Sequence, residues 1–263
     1  MSRILTSLHG KLVGLNSKAQ IQCGKGFRSG EHGSHRTHGS PSTVEFWDDF
    51  VGDVIKDQWN VVEGTDSATS DAAILAGGIG GVLRVTTGDA GTGLAADMIQ
   101  LTQSLQWQAS NGGLAIEARL KLSAITTCYA FIGFTDLVTL EAPIESAASA
   151  DTFTSTASDA VGFLFDTRMS TNTWWLTGVA ANVDATHVSS GFAPVAGTYA
   201  TFRVEVSAAG VATFFYNGVQ VGAALSGAVT AATDLTPTIN VSKTSVAASM
   251  TMDIDYVHVS QDR

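Results

Sequence analysis

Charge is scarce in this chain. Asp, Glu, Lys and Arg make up 14% of its 263 residues, whereas an average globular protein devotes about a quarter to them. Such a composition supplies long surface helices poorly, because these keep one face charged. Small and β-branched residues fill the difference, and they suit many strands joined by tight turns. Cysteine is nearly missing as well. Cys23 and Cys128 lie far apart in segments of different character, so no disulfide framework is expected. Neither sits in a nucleophile motif. Cys128, within Thr-Cys-Tyr-Ala-Phe-Ile-Gly-Phe, reads as a small buried hydrophobe. No apolar run approaches the length of a membrane span, and the opening Met1 to Lys11 lacks the apolar core of a secretory signal. Synthesis and folding in the cytoplasm are the expectation, with no membrane partner.

What charge there is divides unevenly. Residues 1–43 hold Arg3, Lys11, Lys18, Lys25, Arg28 and Arg36 against the single acid Glu31, a net of +5, and residues 44–263 carry −15. An acidic body excludes nucleic acid as its partner, while a basic arm on it points to docking on something acidic. Residues 24–42 contain one large apolar residue, Phe27, and cannot build a core. They read as an extended connector. Ile4, Leu5, Leu8, Leu12, Val13, Leu15 and Ile21 precede it and would be buried only by docking on a partner. The division is therefore a docking arm and connector over 1–43 and a domain over 44–263. His32, His35 and His38 recur every three residues in the connector. Imidazoles bind zinc or nickel, but the flanking glycines supply no rigid geometry and no fourth ligand is evident. No metal or cofactor is expected.

From residue 44 onward strand signals repeat. Leu114 to Leu122 alternates apolar residues with Glu117, Arg119 and Lys121, the period-two pattern of a strand with one wet face. Gly80 to Thr87, Cys128 to Thr135, Ala160 to Asp166, Trp174 to Ala180, Tyr199 to Ser207, Val211 to Tyr216, Thr238 to Ser242 and Met250 to Val259 continue the series. Asn217-Gly218 is a strong two-residue hairpin signal, and Ala209-Gly210 marks another turn. The expected fold is all-β, an antiparallel two-sheet jelly-roll sandwich preceded by an extended N-terminal arm. Glu141 to Ser158 reads as a long polar surface loop.

Trp47-Asp48-Asp49-Phe50 and Asp57-Gln58-Trp59-Asn60 are similar to the opening of many concanavalin A-like lectin/glucanase modules. The run Phe202 to Val221, with its Gly turn, aromatic strand and Asn-Gly hairpin, resembles the laminin G-type pair, and the closing Met252 to Val259 fits as well. The resemblance covers most of residues 44–263. It implies a jelly roll of a kind found in glucanases, lectins, adhesion proteins and bacteriophage virion proteins.

Glucanases of this type resemble a pattern of two glutamates around an aspartate on one strand, whose carboxylates face one way. The nearest match is Asp253-Ile254-Asp255, with Met250, Met252, Ile254 and Tyr256 on the core face. It lacks the glutamates, Glu141 and Glu145 form no better pair, and His187 and His258 have no nucleophile motif beside them. The expectation is a chain that is not an enzyme. Trp174-Trp175 is the candidate glycan or interface pair, because adjacent strand residues face opposite ways. Asp48, Asp49 and Asp53 are the acids to weigh for calcium, and turn capping explains them as well. The resulting expectation is a bacteriophage capsid decoration protein, assembled into virions in the host cytoplasm. Its partner would be the major capsid protein or another virion protein. The chain would be a homo-oligomer, with a trimer among the options; a tail- or fibre-associated glycan-binding module is the alternative, and a glycoside hydrolase ranks behind it.

Overall fold

The computed structural model describes residues 42–263 apart from 67–68, 79, 90–92, 147–151 and 246–247. The arm residues from Arg3 to Arg36, and His32, His35 and His38, lie outside the described residues. The strands in chain order are β1 (Thr43–Asp48), β2 (Asn60–Glu63), β3 (Asp71–Ile74), β4 (Leu83–Thr86), β5 (Ile99–Thr102), β6 (Leu114–Leu122), β7 (Cys128–Thr135), β8 (Ile144–Ser146) and β9 (Phe153–Ser155). They continue with β10 (Ala160–Asp166), β11 (Trp175–Ala180), β12 (Val183–Asp184), β13 (Val188–Ser189), β14 (Ala200–Val206), β15 (Ala212–Tyr216), β16 (Val219–Leu225), β17 (Thr236–Lys243) and β18 (Thr251–Asp262). The helical content among the described residues is one turn, α1 (Leu94–Asp97), and a 3-10 turn at Ala109–Asn111.

Two antiparallel sheets make the sandwich. Sheet A runs β16-β15-β14-β6-β18-β4-β3, with β1 also paired to β18; sheet B runs β12-β11-β10-β7-β17-β5-β2, with β13 also paired to β11. The alternation read in the sequence sets the faces of sheet A. Along β14, Phe202, Val204 and Val206 are buried while Thr201, Arg203 and Glu205 reach the outside. Between the sheets Phe163 meets Phe202 and Phe214 edge-on at 5.3 Å, and Trp174 meets Phe202 at 4.5 Å. Each such ring removed from water contributes about 2–3 kcal/mol. Asn217 and Gly218 turn the β15–β16 hairpin with φ of 51° and 78°, the left-handed pair that the two-residue turn requires.

Two expectations need correction. Tyr256 is not a core residue. The register slips between Ile254 and Tyr256, so Ile254 pairs with Leu120 but Tyr256 with Arg119. Asp255 is the extra residue of a β-bulge, and the bulge reverses the facing of everything after it. Tyr256 turns outward onto Trp47, rings stacked at 4.9 Å, and Val257 takes the core place. The stretch Glu141 to Ser158 is also more than a polar surface loop. It carries the β8–β9 hairpin, and Ala142, Ile144 and Ala157 are buried against sheet B.

Candidate functional site

Every residue of β7 and β10 is buried, so sheet B is covered on both faces. The pairings place its outer side chains in rows. One row reads Asn60, Thr102, Thr238, Gly133, Gly162, Thr177, and the next Val62, Gln100, Asn240, Phe131, Leu164, Trp175. A third adds Ser242, Tyr129 and Asp166. The face is polar over β5 and β17 and aromatic or aliphatic over β7 to β11.

Residues 137–146 and 152–157 lie over these rows. Ala142, Ile144 and Ala157 join Met98, Tyr129, Phe131, Ala160, Leu164 and Val179 in one apolar cluster, with Leu137, Leu140, Phe153 and Trp175 against it. The polar rows hold the segment by its main chain. The Glu141 N–H donates to Gln100 Oε1 at 3.1 Å, and Asn240 Nδ2 donates to the Glu141 carbonyl at 3.1 Å. Tyr129 donates to the Ile144 carbonyl at 2.9 Å. Gln100 Nε2 and Thr102 Oγ1 are buried with no partner among the described residues.

One rim of this face carries charge beside aromatic rings. Asp166, fully buried at the end of β10, accepts from the Ser146 N–H at 3.0 Å and from the Arg168 guanidinium at 2.6 Å. The same Arg168 nitrogen binds Glu145 at 2.8 Å. Burial works against the Arg168 charge, but its bonds to Asp166 and Glu145 prevail and hold its pKa above the usual arginine value. Burial, then the charges of Asp166 and Glu145, push the Tyr129 phenol well above its ordinary value and keep it a neutral donor. Trp175 is half-buried, with Phe153 edge-on at 5.3 Å. His187 meets Phe153 at 4.3 Å and contacts the Gly178 carbonyl through Nε2 at 3.0 Å.

The tryptophan pair divides as strand geometry requires. Trp174 is a core residue, 1% exposed, and Trp175 lies on the outer face. Asp253 and Asp255 belong to sheet A, on the other side of the molecule, and both are engaged. Arg84 grips Asp253 with two bonds at 2.7 and 2.9 Å, Lys121 adds a contact at 3.2 Å, and Arg119 binds Asp255 at 2.6 Å. Asp48 caps a turn through the Phe50 N–H at 3.0 Å and also takes Trp59 Nε1 and Lys56. Among the described residues no cluster of three or more His, Cys, Asp or Glu could hold a metal. Sequence reasoning passed over Gln100, Asn240 and the Glu145–Arg168–Asp166 group. The available signal was amides and threonines inside strands otherwise rich in apolar residues.

No protein-family model matches the chain, and no curated protein sequence does. Solved structures do match. A protein of unknown function from Shewanella oneidensis MR-1, SO2946, is 14% identical with a TM-score of 0.59, covering 84% of this chain and 87% of its own. The β-glucanase of Bacillus licheniformis is 12% identical with a TM-score of 0.54, over 85% of this chain and 99% of its own. The carbohydrate recognition domain of Emp47p is 8% identical with a TM-score of 0.56, over 85% and 98%. The chain therefore has the concanavalin A-like jelly-roll fold, an architecture shared by glucanases and a carbohydrate recognition domain. The expectation that it is not an enzyme is corrected by the same likenesses. Several solved structures with this architecture are glycoside hydrolases, so the fold gives no ground for excluding that chemistry. The carboxylates beside the outer face of sheet B are Glu145 of β8 and Asp166 of β10, joined through Arg168, whereas Asp253 and Asp255 lie on sheet A.

Proposed function

We propose that this chain is a surface-binding component of a bacteriophage particle, a capsid decoration protein whose sandwich forms the outer body and whose basic residues 1–43 make the attachment. The observation that carries the reading is the division of charge, +5 in residues 1–43 against −15 in the rest. The sandwich supports it, because both sheets bury their inner faces and sheet B is covered by the chain's own segment. Recognition then falls to the surface and to the basic stretch. A protein that binds only the assembled shell shifts the equilibrium toward that shell, and many copies add avidity without one strong contact. The test is to tag the chain at its native locus and purify particles from a lysate on a density gradient. Co-purification at stoichiometric level is the expected result; particles free of the chain overturn the reading.

One observation favours a second reading, carbohydrate recognition. Trp175 and Phe153 form an aromatic edge beside Arg168 and Glu145, the pairing of flat apolar surface with a few polar groups that a sugar site uses. Tryptophan fluorescence titrated with β-glucan oligosaccharides would report binding that Trp175→Ala removes. Reducing ends released by the wild type but not by Glu145→Gln or Asp166→Asn would instead make the same rim hydrolytic.

A further inference from the structure

One edge of the sandwich combines three features that the sheet B face does not explain. The first is apolar exposure. Val188, Phe192, Val195 and Val219 are 42–64% exposed, and they belong to one neighbourhood. Phe192 stacks on Tyr216 at 5.0 Å, Tyr216 pairs with Val219, Val195 and Tyr216 line one pocket, and Val188 pairs with Leu176 of β11, which packs across to β16. Contiguous apolar surface of this kind marks an interaction site.

The second feature is the open strand. Sheet A ends on β16, seven residues with no charge and no proline. The other sheet ends are β3 with Asp71, β2 with Glu63, and the two-residue β12 with Asp184. Short length and charge are the usual guards of an edge, and β16 lacks both. The two-residue turn makes Tyr216–Val219 and Phe214–Val221 the hydrogen-bonded pairs. The Gln220 N–H and C=O therefore face the open side. The third feature is a shallow recess, lined by Lys121, Trp174, Pro194, Val195, Thr198 and Tyr216 among others. Trp174 Nε1 is buried and has no partner among the described residues.

We propose that this edge is the interface between two copies of the chain, with β16 pairing antiparallel to β16 of the second copy across a two-fold axis. Charge selects a second copy over another partner. No Asp, Glu, Lys or Arg occurs over residues 206–233 or 188–198, within a body of net charge −15. Lys121 is the one charged residue lining the recess, so two such bodies meet along these stretches without facing carboxylates, and a basic partner would find no acid there to bind. A strand edge is complementary to itself when turned through a two-fold. The recess of mixed polar and apolar lining beside the exposed valines gives the second copy relief to pack against.

The test is sedimentation equilibrium on the full chain with Cys23→Ser, with circular dichroism to confirm folding of each variant. A dimer is expected. V195K/V219K should weaken it by at least about thirtyfold, the loss that removing a hot spot brings, while Val54→Lys, at another exposed site, leaves it unchanged. With the two-fold placed at Gln220, whose N–H and C=O face outward, the two copies of residue 220 lie opposite each other, and Gln220→Cys should oxidise to a disulfide-linked dimer. A monomeric wild type, or an oligomer of any size that survives V195K/V219K and is not cross-linked through Gln220→Cys, overturns the proposal.

Discussion

His187 is the residue whose surroundings make a pH-dependent claim. Burial lowers its pKa below the ordinary 6.5 and prevails over the Gly178 carbonyl and Asp184, which favour the charged form. A histidine with a depressed folded pKa binds its proton more readily when unfolded, so its stabilising share is whole above about pH 6.5 and drains away as pH falls toward the folded value. His187→Gln should flatten the dependence of the urea midpoint on pH between about 5 and 7. Asp253 has the same sign in a lower window. Burial opposes its charge, but the bonds from Arg84 and Lys121 prevail and hold its carboxyl below the usual range. Asp253→Asn should cost about 1–2 kcal/mol at pH 7, discounted because Arg84 and Lys121 are partly exposed. The gap to wild type should close as pH drops below about 4, through the depressed carboxyl value. The Asp253 environment could not be read from the sequence, because its partners lie across the sheet. Arg84 and Asp253 are 169 residues apart.

Among the elements, the covering residues 137–146 and 152–157 tie their own stability to that of sheet B. Ile144 is fully buried on Tyr129, Phe131 and Leu164, so Ile144→Ala should cost about 2–4 kcal/mol. Hydrogen exchange in β7 and β10 should speed up more than in β14, whose outer face does not depend on the segment. The elements legible in the sequence were those with a clean period. β6, β14 and β15 alternate, and β7 and β10 are continuous apolar runs matching their buried spans. β5 went unread because Gln100 and Thr102, polar yet buried, imitate a wet face. The bulge in β18 was illegible for the opposite reason. Met250, Met252, Ile254 and Tyr256 alternate perfectly, and only the pairing with β6 shows that one residue is extra. The covering role of Ala142, Ile144 and Ala157 was hidden by small polar neighbours in the sequence.

For the whole molecule, the charge division predicts how attachment responds to deletion and to salt. A chain lacking residues 1–43 should melt as the intact protein does and lose binding to particles. Attachment by the intact chain should weaken as ionic strength rises, since exposed charge pairs are screened within a Debye length of about 10 Å at 0.1 M salt. Equal binding by the truncated chain would move the interface to the sandwich. The fold itself also constrains how this sequence can drift. Gln100 and Asn240 hold the main chain of residue 141 and not its exposed side chain. A library randomised at 141 would therefore stay folded with nearly every residue except proline, which has no N–H to give. Gln100 and Asn240 have no such freedom. A change at either strands a buried amide or the peptide it grips, so the two positions can only be exchanged together.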